Sequence, residues 1–206
     1  MLRYVNEFEK SLTKCQGYDG VIVKEVLTMT TSIQTAQYTL EALADKFFEQ
    51  SQGNWHSERR YYTLKSGQIE EVVSHITVKY LERGNEELLE LAQMHELEDP
   101  NAIICGSRIT WESNYSEPGR KPTTGSTIFG IQGNILYRDR GFATPKPVTA
   151  IYTMRDPKTL HLRTEYNGSA FEEEIKLIGA SHRTRQTIIS RAGEEIMIGQ
   201  YLERRI

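Results

Sequence analysis

From Glu58 to the C-terminus the chain runs as short stretches of alternating polar and apolar residues, separated by turn signals. Period two is the signature of half-buried strands. It predicts strands near 58–65, 69–81, 102–113, 124–131, 134–139, 148–154, 159–166, 170–178, 182–190 and 195–204. Ser66-Gly67, Glu117-Pro118-Gly119, Gly133-Asn134, Asp156-Pro157, Asn167-Gly168 and Gly193 separate most of them, and Asn167-Gly168 favours a tight hairpin. Two helices interrupt or precede the strands. Over 36–50, Leu40, Leu43, Phe47 and Phe48 recur at helical spacing with Gly53 just beyond. Over 85–95, Leu88, Leu89 and Leu91 sit among Glu86, Glu87 and Glu90.

So many short antiparallel strands with so little helix predict a mainly β fold. A closed up-and-down barrel is the economical solution, because closure removes exposed strand edges. This is the layout of a lipocalin-like barrel with one or two α-helices, which holds one small ligand. The first helix either plugs the core or forms a lid over a pocket.

The strands carry charge on a regular face. Arg163 and Glu165 alternate with Leu162 and Thr164, and Glu203 and Arg205 alternate with Leu202 and Arg204. Charges turned into a barrel need partners, and a polar, acidic ligand would supply them. The alternation does not say which face is the inner one, and charges on an outer face would form weak cross-strand pairs.

Composition narrows the function. Net charge is −3 and the pI about 6.0, which gives nucleic-acid binding no electrostatic support. Cys15 and Cys105 form no metal or redox motif, and a reducing compartment is expected. No stretch approaches the roughly 20 apolar residues of a membrane span. The first 28 residues carry Glu7, Glu9, Asp19 and Glu25 and lack the apolar run of a secretion signal. A cytoplasmic or plastid stromal location is the expectation. Residues 1–28 are read as an N-terminal extension of unknown role, with Met29 an alternative start, and 29–206 as the barrel domain.

Familiar catalytic signatures are missing. No HExxH, P-loop, CxxC pair or GxSxG occurs, and the five histidines show no metal-ligand spacing, so no metal is expected and no catalytic residue is assigned. Trp55-His56-Ser57-Glu58-Arg59 follows the first helix. Its Trp suits the plug of a closed barrel end under an Arg, and Arg59 alternatively suits a ligand carboxylate. Cys105 to Trp111 reads as a strand with Cys105, Ser107, Ile109 and Trp111 on one side. Trp111 is either core or a flat wall for a conjugated ligand, and Cys105 reads as a small buried hydrophobe. Glu165 and Glu203 supply carboxylates, and Arg183 and Arg185 two guanidinium groups on one face.

Taken in order, these motifs resemble a known family. Gly53–Arg59, Cys105–Trp111, Gly125–Thr127, Arg138–Phe142, Thr164–Tyr166, Arg183–Arg185 and Glu203–Arg205 are similar to motifs of the S-type phycobiliprotein lyases, the CpcS/CpeS family. The likeness covers about residues 45 to 206. It implies a lipocalin or fatty-acid-binding-protein-like barrel that binds a phycobilin, phycocyanobilin or phycoerythrobilin, as substrate, with no permanent cofactor. It implies delivery of that linear tetrapyrrole to a cysteine of a phycobiliprotein alpha or beta subunit. By the same resemblance Arg59 would hold a propionate, with Arg183 and Arg185 also at the bilin. Glu165 and Glu203 would accept from pyrrole N–H groups, and Trp111 would flank the conjugated system. The alternatives are a carrier that does not transfer its pigment, a CpcU-like partner subunit of a heterodimeric lyase, and an assembly factor with all charges outside. For the working species, a partner subunit and a homodimer are both open. One departure stands out: Glu174 occupies the place of a family Arg, where an acid facing the ligand would repel a propionate, and Lys176 would substitute only in part.

Overall fold

The computed structural model describes residue 36 and residues 39–206 apart from residue 118, and the barrel unit spans Thr39–Ile206. The expected 1–28 extension and the choice of Met29 as a start lie outside the described residues.

Helix α1, residues 39–51, leads into the first strand. Ten strands follow: β1 (Gly53–Thr63), β2 (Gln68–Glu82), β3 (Cys105–Tyr115), β4 (Thr123–Gln132), β5 (Ile135–Arg138), β6 (Val148–Asp156), β7 (Thr159–Tyr166), β8 (Ser169–Ile178), β9 (His182–Arg191) and β10 (Glu194–Arg205). Helix α2 (Glu86–Met94) lies between β2 and β3. Each strand pairs with its sequence neighbour, and β1 pairs with β10 to close the barrel. The expected strands are all present. The largest boundary change is β1, which begins at Gly53 rather than 58.

Alternation within each strand now has a sense. Trp55, Ser57, Arg59 and Tyr61 of β1 turn inward, while Glu58 and Arg60 face solvent. On β7, Leu160, Leu162 and Thr164 are buried and Arg163 and Glu165 are exposed. On β10 the chemistry is reversed: Tyr201 and Glu203 are buried and Leu202 is 53% exposed.

One end of the barrel is shut by α1. Ala44, Phe47 and Phe48 pack with Trp55, Ile76, Val78, Cys105 and Phe129. Trp55 Nε1 donates to the Ser51 carbonyl at 3.0 Å. The guanidinium groups of Arg205 and Arg183 lie 4.3 and 4.6 Å from the indole centre. Arg205 Nη2 also donates to the Gln50 carbonyl at 2.7 Å, and Nη1 donates to that of Gln52. One cation thereby satisfies carbonyls left free at a helix end and covers the plug. Trp55 is the plug of this end, with Arg205 and Arg183 as its cations and Arg59 elsewhere.

Helix α2 packs on the outside, burying Leu88, Leu91 and Ala92 against Ile103, Ile128 and Tyr137. A Cβ at Gly130 would lie 2.5 Å from Ile103, 3.1 Å from Leu91 and 3.2 Å from Leu88, so the missing side chain makes room for this cluster against the sheet.

Candidate functional site

The other end of the barrel opens into a cavity of about 620 Å³, walled by residues of β1 to β5, β9 and β10 and by the loop between β5 and β6. That volume falls in the range of small-molecule sites. Its chemistry is unusual for a barrel interior, because Arg59, Arg138, Arg183 and Arg185 line it, with a fifth arginine, the exposed Arg140, paired with Asp139 at 3.5 Å.

Two buried carboxylates partly balance them. Glu203 is fully buried, is paired with Arg183, and accepts from Ser57 Oγ at 3.1 Å. Burial alone would raise its pKa. The charge and hydrogen bond of Arg183, helped by Arg185 and Arg59, outweigh this and hold the carboxyl below its ordinary value. Glu173 is the second. It pairs with Arg185, and its Oε2 lies 3.8 Å from Arg138 Nη1.

Four cations against two anions leave the lumen electropositive. Arg59 contributes to that excess: its Nε donates to Ser57 Oγ at 3.2 Å, and its guanidinium lies 5.4 Å from the Tyr201 ring centre. No carboxylate among the described residues forms an ion pair with it. Three buried nitrogens here have no hydrogen-bond partner among the described residues: Nε and Nη1 of Arg138 and Nε of Arg185. Buried polar atoms are seldom left unmatched, and these belong to the two arginines that Glu173 faces.

Aromatic groups complete the wall. Trp111 and Tyr201 border the cavity, and Arg138 lies between Phe129 and Phe142, 4.6 and 4.5 Å from their ring centres. Phe142, from the β5–β6 loop, stacks on Phe171 at 4.9 Å, and Phe171 stacks on Tyr166 at 4.9 Å. Asp139 Oδ1 accepts from Thr127 Oγ1 at 2.6 Å and from the Ile128 amide at 3.1 Å, pinning the start of that loop to β4.

Arg59, Trp111, Arg183 and Arg185 thus line one cavity, with Glu203 directly behind Arg183. Glu165 does not join them. It lies on the outer face of β7 in an exposed ion pair with Arg163, 2.6 Å apart, and its expected place in the lumen is corrected. The inward parity of β7 belongs to its leucines. Glu174 is likewise outside, 3.4 Å from His161, and Lys176 shares that exposed face. The expected repulsion between Glu174 and a propionate therefore has no geometric basis.

The carboxylate missing from the sequence reading is Glu173. Its signal was parity: Glu173 shares a face with Phe171, Ile175 and Leu177, all turned inward. Arg138 was legible in the same way from Leu136. Cys105 is fully buried, and burial pushes its thiol pKa far up, which makes it an inert core residue.

Comparison with known proteins gives the family. The family model described as CpeS-like protein matches residues 44–206. The chain belongs to the CpeS-like family. A Nostoc protein provisionally named phycocyanobilin lyase CpcS 2 is 60% identical over 161 residues, covering 78% of this chain and 89% of the relative. A Picosynechococcus protein provisionally named chromophore lyase CpcV is 49% identical over 203 residues, covering 98% and 96%. Among solved structures, the S-type phycobiliprotein lyase CpeS of Guillardia theta is similar, with a TM-score of 0.68 and 25% identity over 79% of this chain and 92% of that one. The CpeS-like match and the barrel cover the same part of the molecule. Among the described residues no helix is long and apolar enough to cross a membrane.

Proposed function

We propose that this chain is a chromophore lyase that holds a phycobilin in the barrel cavity and delivers it to a cysteine of a phycobiliprotein subunit. The observation that carries the reading is the charge balance of the lumen, four arginines against two glutamates. A linear tetrapyrrole brings two propionates, which neutralise that surplus. Phycocyanobilin is the pigment we assign, following the name of the Nostoc relative.

The residues divide the work by chemistry. Arg59 offers a guanidinium fork to a propionate, and Arg138 and Arg185, which also line the cavity, offer guanidinium groups for the other. Trp111 supplies a flat apolar face for the conjugated system. Once a propionate engages Arg185 or Arg183, Glu173 or Glu203 becomes available to accept from pyrrole N–H groups. A carboxylate there favours the protonated pigment, and protonation makes its exocyclic double bond more electrophilic. The acceptor's thiol adds across that bond: the C–S bond forms and the thiol proton ends on the adjacent carbon, with no leaving group and no oxidant. The lyase orients the pigment and shields it from wrong addition, so its own cavity needs no nucleophile.

A two-stage assay on the purified protein tests this reading. Phycocyanobilin is added and its absorbance followed. An apo-phycobiliprotein subunit is then supplied, and the denatured product is checked for covalent pigment. A red-shifted complex followed by covalent transfer is expected. Binding without transfer would make the chain a carrier or one half of a heterodimeric lyase, and no binding would leave the partner-subunit or assembly-factor reading.

A further inference from the structure

The Gly125-Ser126-Thr127 motif has no charge and no obvious chemistry, yet its glycine touches the aromatic wall of the cavity. Gly125 and Trp111 are register partners on β4 and β3. A Cβ at position 125 would stand 2.3 Å from Cζ2, 2.7 Å from Cε2 and 3.0 Å from Cη2 of Trp111. Ordinary contact begins at 3.4 Å, so the six-membered ring of the indole occupies space that any other side chain would fill. The backbone at Gly125 is not in the left-handed region, so its conformation alone does not call for glycine. A glycine inside a strand marks the close approach of another group, and here that group is the indole.

We propose that Gly125 is a specificity-determining residue of the pigment site: it recesses Trp111 into the barrel wall, and that recess sets the room left for a flat, conjugated ligand. The inference rests on the bilin-binding reading above. With alanine at 125, relief must come from the ring. The strand itself is held, because β4 is laddered to β3 and Thr127 is tied to Asp139 at 2.6 Å. The barrel wall lies behind the indole, so the ring moves toward the lumen by more than about 1 Å. Aromatic faces stack at roughly 3.5–4 Å between carbon atoms, and a shift of that size removes much of one stacking gap. The glycine therefore selects for a broad planar ligand, and alanine for a narrower one.

The experiment has a readout that needs no pigment. The chain has two tryptophans, and Trp55 is fully buried, so changes in indole quenching by acrylamide report on Trp111. Gly125→Ala is expected to raise the quenchable fraction, to red-shift emission and to weaken phycocyanobilin binding about tenfold. Unchanged emission and quenching in Gly125→Ala would overturn the proposal whether or not the wild type binds pigment. A Trp111→Ala background gives the second check: adding Gly125→Ala there should change pigment affinity less than twofold, and a persisting tenfold loss would overturn the seat. If Gly125→Ala fails to fold, the same double variant should recover folded protein. Failure of that variant to recover would place the strain away from the indole and end the proposal. Failure of the wild type to bind pigment, with the quenching shift present, would count against the bilin reading and leave the indole seat standing.

Discussion

Arg183 and Glu203 are register partners on β9 and β10, and their side chains form a buried ion pair inside the barrel. Breaking such a pair from one side leaves a buried charge without its counterpart, at a cost of about 3–5 kcal/mol. Glu203→Gln is expected to lose stability toward the low end of that range, since the amide oxygen still accepts a hydrogen bond. Urea unfolding at neutral pH measures it.

The same pair sets an acid limit. The Glu203 carboxyl is held below its ordinary value in the folded chain, whereas an unfolded Glu titrates near about 4.3. The unfolded state therefore binds the proton more readily. The pair's contribution is fully present above about pH 4.3 and is lost as pH falls through the lower folded value. As pH falls below about 4.3 the wild type should lose stability more steeply than Glu203→Gln, as read by urea midpoints across a pH series.

Arg59 tests the opposite case, a lumen cation with no carboxylate partner among the described residues. Arg59→Ala should weaken phycocyanobilin binding by about 10- to 100-fold, the loss of a charge-assisted contact of about 1.5–3 kcal/mol. Its unfolding midpoint should shift little. Loss of folded protein instead would mean that Arg59 supports the barrel and not the ligand.

Glu165 and Glu173 form a matched pair of carboxylates on opposite faces of the sheet. Glu165 sits in an exposed pair with Arg163, worth roughly 0–1 kcal/mol. Glu165→Gln should leave both stability and pigment spectra unchanged. Glu173→Gln, beside Arg185 and Arg138, should destabilise the fold and change the absorbance of the bound pigment. Equal spectral effects of the two would contradict the inner and outer assignment.

Cys105 should be silent toward thiol reagents. It is fully buried with its pKa raised by burial, so iodoacetamide at pH 8 should leave its peptide unmodified in the native protein and label it after unfolding. Native labelling, read by mass spectrometry, would contradict its place in the core.

How much of the site was legible depends on parity. The motifs around Arg59, Trp111, Arg183, Arg185 and Glu203 are readable in the sequence; four of these residues line one cavity and Glu203 pairs with Arg183 behind it. Glu165 was misplaced because a charged face on a strand looks the same whichever way it points. Glu173 was hidden inside a run of three glutamates, where only its phase with Phe171 and Ile175 distinguishes it from its neighbours. Trp55 as the plug was readable, but its cations were not. Arg205 and Arg183 reach it from β10 and β9, far along the chain, and Arg59 in the same motif points toward the cavity.

Local pattern by itself determined where the strands and turns fall, that the sheet closes and that the chain resembles the bilin lyases. Alternation, turn chemistry and motif order are properties of neighbouring residues. The inner face was decided only by the closed barrel. On β7 the leucines are buried and the charges exposed, whereas on β10 Glu203 is buried and Leu202 lies in solvent. The reason is that closure and register assign the inside to every strand at once. A strand such as β10 can bury an acid only because a neighbouring strand delivers Arg183 to the same point.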